Sequence, residues 1–176
     1  IIPKLKGLYF ELQYPYEANM TGLDVCIPPQ YFSDGAEELL RKLKDPEWRN
    51  KFAEEMNDPN GTYDNFYLNS GGFGGVFISS SPNVPEAEGM MVSEYSAKIG
   101  KDPMDTYFDL LVANELGGSG IYFAMDINEV EKIYCDPHTS VGSDAVCYGV
   151  EEKAHPRAWG TFIRPLVRFA EKEGLV

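Results

Sequence analysis

Apolar and polar residues alternate near the start of the chain, where Phe10 and Leu12 flank a polar residue. Because successive side chains of a strand point to opposite faces, this pattern predicts a β-strand from Lys4 to Tyr14. Pro15 cannot donate a hydrogen bond to a strand ladder and is expected to end the strand. Tyr14 is therefore placed at the strand's end.

Two amphipathic helices are predicted next. Asp34 and Glu37 have the spacing of a capping box, and the leucines that follow predict a helix to about Lys44. Asp45 and Pro46 then form a second helix start, with the Asp as N-cap and the Pro in the first turn. The apolar face of this second helix contains Trp48, Phe52 and Met56.

A glycine-rich run separates two further apolar segments. Phe66–Leu68 and Val76–Ser79 are predicted as short strands, with residues 71–75 between them. The run lacks the order GxxxxGK[ST] and a following helix, so a hairpin turn is favoured over a phosphate-binding loop.

From Met91 onwards helices and strands alternate. Helices are predicted at Val92–Ile99, from Asp102, from Asp126 and from about Phe162 to Gly174, and strands at Ile121–Met125 and Val141. This order, α–β–α–β–α, is typical of a parallel sheet wound with helices. Residues 17–88 break the alternation and are interpreted as an insertion.

The net charge indicates which partners the protein is unsuited to bind, and the cysteine content indicates its compartment. The formal net charge is −13, which argues against nucleic acid and against an anionic membrane surface as partners. No apolar run is long enough to span a bilayer. The three cysteines lack a CxxC spacing and are interpreted as reduced thiols, so a cytoplasmic location is expected.

The candidate chemistry lies after the last predicted strand. The run Thr139–Ser143 ends at Asp144, and a loop containing His155 and Arg157 leads to the final helix. In barrels built from βα units, catalytic groups lie at the C-terminal ends of strands. The alternative, that Asp144 only caps a loop, is equally compatible with the residues themselves.

Several collinear motifs resemble the N-acyl-D-amino-acid deacylase (D-aminoacylase) family of the amidohydrolase superfamily. Each is weak alone, but together they run in order through nearly the whole chain. They are LQYPY at 12–16, LLRKLKDP at 39–46, GKDP at 100–103 with DLL at 109–111, IYF at 121–123 with Met125, VGSD at 141–144, and HPR at 155–157 with GTF at 160–162.

The resemblance implies an α/β fold, namely the C-terminal portion of a metal-dependent (β/α)8 TIM-like barrel with an inserted small α+β subdomain. The expected ranges are 1–16 for a barrel strand, 17–88 for the inserted subdomain and 89–176 for the C-terminal βα units. The family's HxH pair, its bridging Cys and its two later metal-binding histidines are expected to precede Ile1. His138 and His155 match none of these histidines.

The resemblance also implies roles for four residues. Asp144 matches the acid/base of the family's zinc-dependent hydrolysis of N-acyl-D-amino acids, and it is a candidate metal ligand. Arg157 and Tyr14 match the groups that bind the substrate's α-carboxylate. Thr21 is expected to replace a substrate-binding hydroxyl that aligns with Met20.

Three interpretations remain open on the sequence alone. The chain is expected to be a fragment of the deacylase, inactive alone, with zinc bound in the full-length enzyme and none bound by the fragment. The alternatives are a self-contained, non-catalytic binding or interaction module and, less favoured, an intact small hydrolase. A barrel fragment exposes sheet edges, so a homodimer through those edges is expected.

Overall fold

The computed structural model describes residues 10–12, 18–145 and 156–167. The rest of the first predicted strand, Tyr14, His155 and the end of the final predicted helix lie outside the described residues. The chain divides into two compact units, one formed by Ala18–Ala124 and one formed by Ile1–Glu17 together with Met125–Val176.

The unit 18–124 contains a three-stranded sheet. Strand β2 (Asn19–Gly22) and strand β3 (Val76–Ser80) flank the central strand β4 (Ser119–Tyr122), and both pairings are antiparallel. The prediction that Ile121–Met125 lies in a parallel sheet is therefore wrong. The apolar pattern identified a strand, but such a pattern does not distinguish parallel from antiparallel partners.

Five helices belong to the same unit. They are α1 (Ala36–Leu43), α2 (Pro46–Met56), α3 (Phe66–Asn69), α4 (Val92–Ile99) and α5 (Pro103–Ala113). Short 3₁₀ turns cover Leu23–Cys26, Pro29–Phe32, Phe73–Gly75 and Pro85–Ala87.

Three helix ends are confirmed. The Asp45 carboxylate accepts a hydrogen bond from the N–H of Glu47, and the Asp102 carboxylate accepts from Met104 and Asp105. Both aspartates satisfy N–H groups that have no partner inside the helix. Gly100 ends α4 in the left-handed conformation, with φ of 68°.

Three local predictions are wrong. Gly35 is the N-cap of α1, and the Asp34 carboxylate instead pairs with Lys42 Nζ at 2.7 Å. The segment from Phe66 is a helix, because the Asn65 side chain accepts from the N–H of Leu68 and caps it. The glycine run forms a 3₁₀ turn rather than a hairpin, and a Cβ at Gly75 would lie 2.1 Å from the Ser70 carbonyl oxygen.

Buried aromatic rings form the core of this unit. Tyr107, Tyr122, Phe52 and Phe108 are among its largest fully buried side chains. The Tyr107 hydroxyl donates to the Leu23 carbonyl oxygen at 2.7 Å, and the Tyr122 hydroxyl donates to the Gly22 carbonyl oxygen at 2.8 Å. These two bonds attach the end of β2 and the following 3₁₀ turn to α5 and β4.

The other unit joins the two sequence-distant segments through a parallel strand pair. Strand β1 (Phe10–Leu12) pairs with β5 (Thr139–Val141), with Phe10 opposite Thr139 and Leu12 opposite Val141. Helix α6 (Ile127–Tyr134) begins after Asp126, whose carboxylate accepts from the N–H groups of Asn128 and Glu129. Short helices α7 (Arg157–Gly160) and α8 (Ile163–Pro165) follow.

Among the described residues, no helix is both long and apolar enough to cross a membrane. The predicted division into 1–16, 17–88 and 89–176 stays a prediction.

The tyrosine hydroxyls give a testable prediction about stability. Tyr122→Phe removes the donor for the part-buried Gly22 carbonyl, so we expect the free energy of unfolding to fall by about 1–3 kcal/mol. Tyr107→Phe should cost less, about 1 kcal/mol, because the Leu23 carbonyl still accepts from Tyr122 at 3.2 Å. Urea denaturation followed by fluorescence measures both values.

Tyr67→Phe is the matched control. Tyr67 is partly buried and packs on Phe73, but no described residue accepts a hydrogen bond from its hydroxyl. Its loss should change the free energy of unfolding by less than about 0.5 kcal/mol. Equal losses in all three variants would show that the two hydroxyls do not hold the turn.

Candidate active site

Asp144 and Arg157 form an ion pair in the unit that contains β5. Arg157 Nη1 lies 3.2 Å from Asp144 Oδ2. Asp144 follows the end of β5 by three positions, and Arg157 is the first residue of α7. The structure therefore brings together two residues that the sequence placed at one site.

The two partners differ in burial. The Arg157 side chain is 6% exposed, whereas the Asp144 side chain is 49% exposed. A buried guanidinium needs a charged or polar partner, because an unpaired buried charge is costly. Asp144 satisfies part of this need while one side of its carboxylate remains accessible to solvent.

The backbone at Asp144 is unusual. Its φ is 45°, in the left-handed region that few residues other than glycine adopt, although Asp and Asn tolerate it best. Such conformations persist where the surroundings hold them, and they concentrate at functional sites.

Thr21 belongs to the other unit, 18–124. It lies in β2 opposite Gly120 of β4, which fixes its register in the sheet. The remaining predicted site residue, Tyr14, lies outside the described residues, as does His155.

Thr21 lines a pocket of about 320 Å³ within the unit 18–124. Apolar side chains form most of the wall, and two carboxylates, Asp24 and Asp64, accompany the Thr21 hydroxyl. The lining residues are Thr21, Asp24, Val25, Ile27, Pro29, Phe32, Tyr63, Asp64 and Phe66.

Asp24 is one of the lining residues whose pKa is shifted by burial. Partial burial raises the pKa of its carboxyl, and a hydrogen bond from its own backbone N–H opposes that effect. Among the described residues no lysine, arginine or histidine forms an ion pair with Asp24. Its negative charge is therefore not neutralised locally by any of them.

Sequence reasoning missed the pocket wall. Asp24 and Val25 lie in a 3₁₀ turn, and Phe32 ends another. Such short turns have no hydrophobic period to read, and the residues belong to no motif. The only available signal was the closeness of Asp24 to Thr21 in sequence.

The described part of the chain does not contain a complete metal site. No group of three or more His, Cys, Asp or Glu side chains within it is arranged to hold an ion. His138 Nδ1 instead lies 3.1 Å from Asp136 Oδ1 on an exposed turn. Asp144 is thus a single carboxylate beside an arginine, which does not by itself fit a zinc ion.

Burial also determines the protonation state of the Cys26 thiol. Cys26 is fully buried, and desolvation raises the pKa of its thiol to about 12 although the hydroxyls of Tyr107 and Tyr122 bond to it. A thiol of this kind stays protonated and is a poor nucleophile or metal ligand.

Comparison with known proteins identifies similar enzymes. No family model matches the chain. The chain is 37% identical over 96 residues to an N-acyl-D-aspartate deacylase of Alcaligenes xylosoxydans xylosoxydans, covering 53% of the chain and 18% of that enzyme. A D-aminoacylase of the same organism is 37% identical over 103 residues, which cover 58% of the chain and 20% of the enzyme. An N-acyl-D-glutamate deacylase of that organism is 36% identical over 101 residues.

Solved structures agree with this similarity. The crystal structure of the N-acyl-D-glutamate deacylase from Bordetella bronchiseptica, complexed with zinc and a phosphonate inhibitor, matches with a TM-score of 0.55 and 25% identity. The match covers 96% of this chain and 25% of that one. A D-aminoacylase structure described by its binuclear metal centre matches in fold, with a TM-score of 0.53 at 24% identity, over 93% of this chain and 24% of that one.

The chain spans about a fifth of the length of the curated relatives that it matches. Named homologues and structural neighbours point to the same enzymes as the motifs of the sequence. The predicted resemblance of this chain to N-acyl-D-amino-acid deacylases and D-aminoacylases is therefore confirmed, as a similarity to one part of those enzymes.

Proposed function

We propose that this chain is part of a zinc-dependent amidohydrolase that hydrolyses N-acyl-D-amino acids to a carboxylate and a free D-amino acid. The observation that carries the proposal is the Arg157–Asp144 pair beyond the end of β5, at 3.2 Å, in a chain similar to deacylases. In this pair, the Asp144 carboxylate can accept and donate a proton, and the Arg157 guanidinium can bind the carboxylate of a substrate.

Arg157 is assigned to the α-carboxylate of the substrate. Its planar guanidinium donates two parallel hydrogen bonds to a carboxylate, a geometry that lysine does not offer. One nitrogen already faces Asp144, and a neighbouring carboxylate in the free enzyme keeps the buried cation paired. Substrate binding would place a second carboxylate beside the guanidinium.

Asp144 is assigned to proton transfer. A half-exposed carboxylate accepts a proton from an attacking water and returns it to the leaving amine, which would otherwise depart as an unstable anion.

Zinc is proposed for the complete enzyme only. When bound, the ion polarises the amide carbonyl and lowers the pKa of water. Its ligands are expected outside this chain, with Asp144 as a candidate additional ligand. Tyr14 is proposed to assist Arg157, and Thr21 to contact the substrate through its hydroxyl.

The organisation of the protein follows the same proposal. The chain would supply the C-terminal βα units of a (β/α)8 barrel and an inserted subdomain, in a cytoplasmic enzyme. Alone it would be inactive and would pair with a second copy through its sheet edges. If the complete enzyme hydrolyses no N-acyl-D-amino acid, the non-catalytic binding module becomes the better interpretation.

The role of Asp144 predicts loss of activity without loss of stability. In the zinc-loaded complete enzyme, Asp144→Asn should lower kcat by about 10²- to 10⁴-fold, because the amide neither accepts nor returns the proton. Its free energy of unfolding should change by less than about 1 kcal/mol, because the amide oxygen of Asn still accepts a hydrogen bond from Arg157 Nη1 and the side chain at 144 is half exposed. Steady-state kinetics and urea denaturation measure the two effects.

Glu129→Gln is the control for Asp144. Glu129 is an exposed carboxylate on α6 in the same unit. Its neutralisation should leave kcat unchanged. If Asp144→Asn retains full activity, Asp144 is not the acid/base.

The role of Arg157 predicts an effect that depends on the substrate. Arg157→Lys should raise KM for an N-acyl-D-amino acid by about tenfold, because one of the two hydrogen bonds to the α-carboxylate is lost. It should leave KM for the matching α-carboxamide, which lacks that charge, nearly unchanged. An equal rise for both substrates would mean that Arg157 acts through folding rather than through the carboxylate.

The metal proposal predicts the zinc content of the chain itself. The purified 176-residue chain should contain near-zero zinc by plasma mass spectrometry, and Asp144→Ala should be indistinguishable from it. Stoichiometric zinc that disappears on substitution would show that the chain builds its own metal site, contrary to the proposal.

A further inference from the structure

We infer that the pocket beside Thr21 binds a small organic cation, namely an ammonium group attached to an aryl or branched alkyl body. Every residue that lines this pocket belongs to the unit 18–124. The inference therefore does not rest on the proposed function, whose ion pair belongs to the other unit. It is carried by the size of the pocket, its aromatic rings and its carboxylates.

The size of the pocket fits one small group. Its volume of about 320 Å³ lies at the lower end of the range for ligand pockets, about 300–1,000 Å³. A whole peptide or a nucleotide would not be enclosed, whereas a benzyl or branched alkyl group would be. Ile27 is fully buried and Val25 is partly buried in the wall, so such a group would leave water for apolar contacts.

Three aromatic rings line the pocket. Tyr63 and Phe66 are partly buried, and Phe32 is 38% exposed although it is a large apolar residue. The face of an aromatic ring attracts a cation placed over it. Lys42 shows this contact elsewhere in the unit, with its Nζ 4.6 Å from the ring centroid of Trp48. Among the described residues, no lysine or arginine occupies the three rings of the pocket in this way.

The charges in the pocket have one sign. Of the nine lining residues, Asp24 and Asp64 carry carboxylates and none is a lysine, arginine or histidine. The Asp64 carboxylate is exposed and accepts a hydrogen bond from Asn69 Nδ2 at 2.8 Å, whereas Asp24 is partly buried. Burial raises the pKa of the Asp24 carboxyl because the charged form loses solvation. An ammonium ion beside Asp24 would replace part of that lost solvation.

The position of Asp24 is built into the fold. The carbonyl groups of Gly22 and Leu23 accept hydrogen bonds from buried tyrosines, which hold the turn that carries Asp24. Asp24 Oδ1 lies so close to Gly22 that a Cβ at position 22 would approach it to 2.4 Å. Because the carboxylate is positioned before a ligand arrives, less ordering is needed on binding.

A metal ion fits this pocket less well than an ammonium ion. Ca²⁺ takes about six to eight oxygen ligands, and Mg²⁺ requires an octahedral set. The pocket wall is mostly apolar, and within the described ranges no group of three or more His, Cys, Asp or Glu side chains could hold an ion. An organic cation uses the apolar wall and the carboxylates together.

The test compares benzylammonium, benzyl alcohol and benzoate on the 176-residue chain at one ionic strength. The three ligands have nearly the same size and differ in charge. Titration followed by the methyl NMR signals of Val25 and Ile27 measures binding at the pocket. We expect benzylammonium to bind at least about tenfold more tightly than benzyl alcohol, because a nearby carboxylate attracts its charge. Benzoate should bind more weakly than the alcohol, and calcium chloride at an equal concentration should not displace benzylammonium.

Three variants assign the preference to the pocket. Asp24→Asn should lower the affinity for benzylammonium by about tenfold and leave that for benzyl alcohol unchanged. Phe32→Leu keeps an apolar side chain at an exposed position but removes the ring, and should weaken benzylammonium by about two- to fivefold. Glu54→Gln removes an exposed carboxylate of α2 outside the pocket and should leave every affinity as in the wild type.

Four results would overturn the inference. They are an alcohol or benzoate affinity equal to that of benzylammonium, an unchanged preference in Asp24→Asn, displacement by calcium at an equal concentration, and benzylammonium that shifts neither methyl signal. The backbone amide spectrum of each variant shows whether it has folded. If Asp24→Asn does not fold, Phe32→Leu decides, and an unchanged affinity for benzylammonium in that variant counts against the site.

Discussion

Two buried hydroxyls hold the part of the structure on which the pocket depends. Tyr107 on α5 and Tyr122 on β4 donate to consecutive backbone carbonyls at the end of β2. A buried carbonyl that has left a sheet ladder needs a new donor, because an unsatisfied one is costly. The rings supply that donor and fill the core at the same time.

The segment held by these hydrogen bonds also forms part of the pocket wall. The chain leaves β2, passes the two carbonyls and turns through Leu23–Cys26, so Thr21 and Asp24 lie on either side of the anchored point. The Tyr107 ring packs against two neighbouring rings. Its centroid lies 5.0 Å from that of Phe73 and 5.9 Å from that of Phe108, which supports the position of its hydroxyl. The same core packing therefore supports the turn that supplies Asp24 and Val25 to the pocket wall.

The sequence predicted features that depend on local rules. Asp45, Gly100 and Asp102 act at helix ends because capping requires only a few neighbouring backbone groups. The strand at Val76 was also predicted. The resemblance placed Asp144 and Arg157 at one site, but the ion pair between them is visible only in the structure. The antiparallel pairing of β4 depends on tertiary contacts, which a pattern of apolar residues does not encode. The helix at Phe66 depends on a single cap at Asn65, which that pattern does not encode either.

The register of β2 against β4 has a consequence for how the chain assembles. Asn19 lies opposite Tyr122, so the first and last strands of the unit 18–124 place its two ends within about 5 Å of one another. Pairing β1 with β5 would otherwise close a loop of well over a hundred residues, at a large entropic cost. Once the unit 18–124 has folded, its adjoining ends shorten that loop to residues 13–17 on one side and 125–138 on the other. Strands β1 and β5 are then separated by a short effective loop. Folding of the unit 18–124 thus lowers the entropic cost of pairing them.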